Sequence, residues 1–138
     1  MLSLFHENKT PQEASLYSPL ALAYLGDGVY ELLVRDMLVS KKNQTVNSLH
    51  KAARAFVSAK AQSAAVEHLF EYFSETELNI YKRGRNANPQ TTPKNTEISQ
   101  YLRATGLEAV FGFLYLVGDT GRIMELFNIV KNREQKDN

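Results

Sequence analysis

Two carboxylates stand out because so little around them is charged. Between Pro19 and Tyr30 the only charged residue is Asp27, and between Ala104 and Gly118 the only one is Glu108. Both stretches are apolar nearly all round, as a helix reads when it lies inside a bundle or at a subunit interface, so each is expected to carry its acid toward the interior. An unpaired carboxylate there costs several kcal/mol and takes up a proton unless a cation, a donor set or solvent meets it. Gly26, Gly28, Gly106 and Gly112 lie close to the two acids. Each glycine inside a helix costs roughly 1 kcal/mol relative to alanine, so the pattern implies that a neighbouring helix or a ligand comes close to the backbone. The plainer alternative is that each acid lies on a wet stripe of its helix or pairs with Arg35, Arg103 or Lys60.

With no cysteine in the chain, a metal held here would have oxygen ligands. Two carboxylates with the remaining positions filled by water suit Mg²⁺ or Mn²⁺. Such an ion polarises a phosphoryl oxygen and lowers the pKa of an attacking water, which is the chemistry of phosphodiester hydrolysis. The three histidines, His6, His50 and His68, form no ligand spacing with one another.

The charge pattern agrees with a polyanionic partner. Residues 41–66 carry Lys41, Lys42, Lys51, Arg54 and Lys60 with no acid, and residues 82–95 carry Lys82, Arg83, Arg85 and Lys94 with no acid. Since the net charge is only +1, the rest of the chain is acidic by −8. Nucleic acid is the first candidate for such separated charge. Lys82, Arg83, Arg85, Asn86, Lys94 and Asn95, set around a proline-limited loop, hold the donors to contact nucleic-acid phosphates, the plainer alternative being a solvated turn. Lys60 extends that footprint from the first basic block, or serves a salt bridge.

The elements that must position these groups are helices. Ser18-Pro19 opens a helix that runs from Leu20 to Val39. Thr45 caps a second through NSLHKAARAF, and Ser58 restarts a third through AKAQSAAVEHLFEYF, the two forming a bend or a kinked helix. Ser74 and Glu77 make a capping box for a short helix ending in YKRG, with Gly84 as its stop. After the loop RNANPQTTPKN, Asn95 or Thr96 caps a long helix from about Glu97 to Val117. A GDTG turn leads into a last helix from Arg122 to Lys131, and the tail NREQKDN is expected to fray. No alternating strand pattern, repeat or low-complexity segment is found, so the expected class is all-α, one domain over residues 1–138. The N-terminus lacks the features of a signal peptide and no run is apolar enough for a membrane span, so a cytoplasmic setting is expected.

LALAYLGDGVYELLV resembles the ribonuclease III signature around L-G-D, and TGLEAVFGFLYL resembles that family's second acidic helix, E-A-x-x-G-x-x-Y-L. With LHKAARAFVSAKAQ and RGRNANPQTTPKNT, the stretch from Tyr17 to Ile129 is similar to the Mini-III branch, which has the catalytic domain and no double-stranded-RNA-binding domain. The resemblance implies an all-α ribonuclease III fold and a homodimer. It implies endonucleolytic cleavage of double-stranded RNA with Mg²⁺, Mn²⁺ serving as a substitute, in maturation of large-subunit (23S) ribosomal RNA. A ribosomal protein is a candidate presenter of that substrate. Asp27 falls on the family's catalytic aspartate and Glu108 on the metal-holding glutamate. Where larger members carry further acids this chain has Leu20, Ala23 and Thr105, which implies one ion held largely through waters. The same thinning leaves room for a catalytically silent RNA-binding scaffold. A helical protein-interaction domain would explain the apolar helices but leave the basic loop without a role.

Overall fold

The centre of the molecule is a crossing of two helices at glycine. In the computed structural model, which describes residues 6–87 and 97–136, α2 (Pro19–Lys41) lies against α6 (Ile98–Leu116). A Cβ on Gly26 would fall 1.6 Å from the carbonyl oxygen of Glu108, and one on Gly112 would fall 1.9 Å from that of Leu22. The two backbones therefore touch, which no side chain would allow. The other glycines near the acids differ. Gly106 lies under the ring of Tyr81, and the position of Gly28 faces open space.

Every other element wraps this pair. α1 (Pro11–Ser15) follows a Thr10–Glu13 capping box that the sequence reading passed over. α3 (Val46–Val57) and α4 (Ala59–Leu69) meet at Ser58, whose extended backbone ends one helix while its hydroxyl caps the next. They are thus two helices joined by a bend. A 3-10 turn at Phe70–Tyr72 leads to α5 (Glu75–Asn86), and α7 (Thr120–Lys136) closes the bundle. Among the described residues all regular structure is helical. None of these helices is long and apolar enough to cross a membrane.

Ser18, Thr45 and the Ser74–Glu77 box cap as expected. Three boundaries differ from expectation. α5 runs through Gly84 to Asn86, because Gly84 is buried against α6 and serves close packing; its Cβ would lie 2.9 Å from that of Ala109. Glu97 takes the N-cap position of α6, without a side-chain bond, while Asn95 and Thr96 lie outside the described residues. α7 starts at Thr120, where the Asp119 carboxylate accepts from the Arg122 amide, and continues to Lys136 in place of a fraying tail.

Between α6 and α7 the chain turns through Gly118, at φ +76°, in the left-handed region where glycine carries no steric cost. The amides of Gly118 and Asp119 donate to the carbonyls of Tyr115 and Leu114, a Schellman ending. α6 is buried along most of its length, from Ala104 through Leu114 apart from a half-buried Glu108. Tyr30 packs edge-on to Phe111 and Phe127, with ring centroids at 5.1 and 5.8 Å, and so joins α2, α6 and α7.

Candidate active site

Because Gly26 touches the carbonyl of Glu108, the next residue of α2, Asp27, arrives beside the Glu108 side chain. The two acids differ in burial. Glu108 faces inward, but Asp27 is exposed, on the rim where the outer side of α2 meets α6. The expectation that both acids point inward holds for Glu108 and is corrected for Asp27. α2 is apolar on its outer side as well, so an apolar surround did not mean burial there.

Burial, then the Asp27 charge and a hydrogen bond shared with Asp27, push the Glu108 carboxyl up to about 8. The nearby Glu31 charge adds to the rise. The Glu108 carboxyl is thus held well above the usual carboxylate range beside Asp27. The cations proposed as neighbours are engaged elsewhere: Arg35 pairs with Glu31 at 3.3 Å, and Arg103 donates to Ser63 at 3.4 Å. Among the described residues neither Asp27 nor Glu108 has an ion pair. One group does reach Glu108. Gln62, from α4, points its Nε2 at Oε2 across 3.5 Å. Sequence reasoning passed over Gln62, whose only signal is a long polar side chain in an alanine-rich helix.

This donor set fits a hard divalent cation, since two carboxylates meet here with no ion pair to either among the described residues. No group of three or more His, Cys, Asp or Glu converges among the described residues, so most of a metal shell here would be water or substrate oxygen. Thr105 adds nothing to it, because its hydroxyl donates to the carbonyl of Tyr101 in its own helix at 3.0 Å. Leu20 and Ala23 offer no oxygen. Glu31 stays with Arg35.

The basic residues fall in two places. Gly84 packs on the Thr105–Ala109 turn of α6, so the last turn of α5 lies against the turn that carries Glu108. Lys82, Arg83, Arg85 and Asn86 lie on that last stretch of α5. Lys82 is exposed. Arg85 lies over the ring of Tyr81 at 5.6 Å and donates to Asn86. Arg83 is used within the fold, donating to the carbonyls of Ser15 and Tyr17 at 2.8 and 3.0 Å, which pins the segment before α2. Lys94 and Asn95 lie outside the described residues. Lys60 opens α4 on a different face and lines a cavity of about 290 Å³ with Arg54, His68 and Arg133.

An all-α bundle with a glycine-tight crossing that joins an aspartate and a glutamate defines a class, and comparison with known proteins gives it a name. The ribonuclease III domain family matches residues 20–119, and the chain belongs to that family of endoribonucleases. It is 46% identical to the Mini-ribonuclease 3 of Thermoanaerobacter sp. (strain X514) over 81% of this chain and 79% of that one. It is 42% identical to the Mini-ribonuclease 3 of Clostridium tetani over 91% and 84% of the two chains. A crystal structure of a Fusobacterium nucleatum protein superposes with a TM-score of 0.77 at 34% identity, covering 86% of this chain and 95% of that one.

Proposed function

We propose that this chain is a Mg²⁺-dependent endonuclease of double-stranded RNA, acting in the cytoplasm as a single catalytic domain in maturation of large-subunit ribosomal RNA. The observation that carries the reading is the meeting of Asp27 with a Glu108 whose carboxyl burial and its neighbour push up to about 8, with neither acid in an ion pair among the described residues. Asp27 and Glu108 would hold the ion, which supplies polarisation of the phosphoryl oxygen and a more acidic attacking water. To hold an ion, Glu108 would have to release its proton to solvent, because its carboxyl is pushed up to about 8. Asp27, on the exposed side, meets the substrate first. Lys82, Arg85 and Asn86 at the end of α5, with Lys94 and Asn95 beyond it and Lys60 on α4, supply phosphate contacts. Arg83 contributes by fixing the approach to α2.

A homodimer is part of the same proposal. The outer side of α2 leaves Tyr24 86% and Leu32 68% exposed, with Leu20 and the open position of Gly28 on the same side. A two-fold pair would cover that surface and present two sites to two antiparallel strands. A ribosomal protein that shapes the precursor RNA fits as a further partner.

The test is a gel assay of long duplex RNA with Mg²⁺ or with excess EDTA, beside single-stranded RNA and the Asp27→Asn protein. Discrete duplex products that need both Mg²⁺ and Asp27 are expected. The missing acids at Leu20, Ala23 and Thr105 favour a second reading, a silent scaffold, which would shift the RNA intact under every condition and treat Asp27→Asn like the wild type.

A further inference from the structure

Helix α4 places two of its polar side chains where a helix in a packed interface would ordinarily place alanine or leucine. Gln62 is 2% exposed and Ser63 3% exposed, in a helix whose neighbouring inward residues are Ala65, Val66 and Leu69. Both face α6. Ser63 accepts from Arg103, and Gln62 donates to Glu108. Burying an amide and a hydroxyl in this seam is no route to stability, since a hydrogen-bonded polar pair replaced by apolar groups of the same shape is often close to neutral. What the seam does provide is geometry. Of the two Glu108 oxygens, Oε2 is addressed by Gln62, which orients the carboxyl group as it shares a hydrogen bond with Asp27.

A neutral donor suits this position. A lysine or arginine would satisfy Glu108 permanently and occupy the place of a cation, and an apolar side chain would leave the carboxyl free to rotate toward the core. An amide can address one carboxyl oxygen without neutralising the group, and the buried Gln62 reaches Glu108 Oε2 at 3.5 Å from the neighbouring helix. Groups that orient a metal-holding side chain commonly affect metal affinity or activity by ~10- to 100-fold when removed.

The geometry points to Gln62 as the positioning residue of the candidate site: its buried side-chain amide on α4 sets the Glu108 carboxylate beside Asp27 for a divalent cation. This rests on the reading that Asp27 and Glu108 hold such an ion. α4 thereby becomes part of the active site, although it carries none of the acids.

Mn²⁺ binding to the full chain, followed by electron paramagnetic resonance without RNA, tests the assignment alongside steady-state cleavage of duplex RNA. Gln62→Met keeps the length and loses the donor. It should bind Mn²⁺ about tenfold more weakly and lower kcat by about tenfold, with KM for the duplex and the thermal midpoint unchanged. Gln62→Asn keeps a polar amide but falls a methylene short, and the same losses are expected of it, so a folding defect in the Met variant does not end the test. Wild-type Mn²⁺ affinity with kcat within about twofold in either folded variant overturns the assignment. A wild-type protein that binds no Mn²⁺ and an Asp27→Asn that cleaves normally would instead overturn the metal reading itself, and this inference with it.

Discussion

Glu77 and Glu108 are both drawn back from solvent, and they are treated in opposite ways. Glu77, 5% exposed, receives two bonds from Arg122 at 2.8 Å each, while Arg122 also donates to the carbonyl of Tyr72. Burial works to raise the Glu77 carboxyl, and the Arg122 bonds, helped by the Ser74 cap, overcome it and hold it below the usual range. Burial raises the half-buried Glu108 as well, but it meets another carboxylate and one amide, and its carboxyl is pushed up to about 8. The chain thus solves the problem of a buried acid once, between α5 and α7, and leaves it unsolved at the α2–α6 crossing. Among the described residues no ion pair meets Glu108, which is what the proposed ion-holding role of this acid requires.

The largest effect should come from breaking the unsolved side. Glu108→Gln and Asp27→Asn should each cut turnover on duplex RNA by about a thousandfold or more while far-ultraviolet circular dichroism stays helical. Glu108→Gln should also stabilise the ion-free protein above pH 8. Breaking the solved side should do the reverse: Glu77→Gln should cost about 3 kcal/mol in urea unfolding by removing the buried partner of Arg122, which keeps only the Tyr72 carbonyl and an exposed Glu125, with cleavage retained at low temperature.

The pH dependence of ion-free stability sharpens the contrast. The folded state holds the Glu108 proton more tightly than the unfolded chain, so this contribution is full below about 4.5 and is lost as pH rises toward about 8. Glu77 has the opposite sign, its contribution being present above the ordinary glutamate range and lost as pH falls through its lowered pKa. The thermal midpoint should therefore decline from pH 5 to 8, flatten in Glu108→Gln, and recover on adding Mg²⁺ more at pH 8 than at pH 6. A wild-type midpoint that is flat across this range would remove the unsatisfied acid from the account. The smallest effect tests the open side of α2: Gly28→Ala meets no neighbour within 4 Å and should add up to ~1 kcal/mol of helix stability to an isolated subunit. A net loss, together with a weaker dimer in sedimentation, would show that a second chain covers the position.

Asp27 and Glu108 are legible in the sequence because each interrupts a long apolar run, and the helix starts are legible because serine and threonine caps are local signals. The roles of the glycines are not. Gly26 and Gly28 flank the same aspartate and read alike, yet one touches a backbone and the other touches nothing, a difference decided by a helix far along the chain. Gly84 fails as a stop signal for the same reason, since α6 needs it as a contact surface. Arg83 reads as one more cation of a basic loop, and its bonds to Ser15 and Tyr17 depend on where α1 lies. Gln62 is hidden most completely, because an amide in an alanine-rich helix looks the same whether it faces water or a carboxylate.

The contact of Gly26 with Glu108 and Gly112 also has a meaning in time. The two acids lie on opposite sides of the α3–α5 stretch, and translation proceeds from the N-terminus. A growing chain displays Asp27 long before it contains Glu108, and the crossing that joins them waits until α6 has left the ribosome. Until then the chain holds only half of its acid pair.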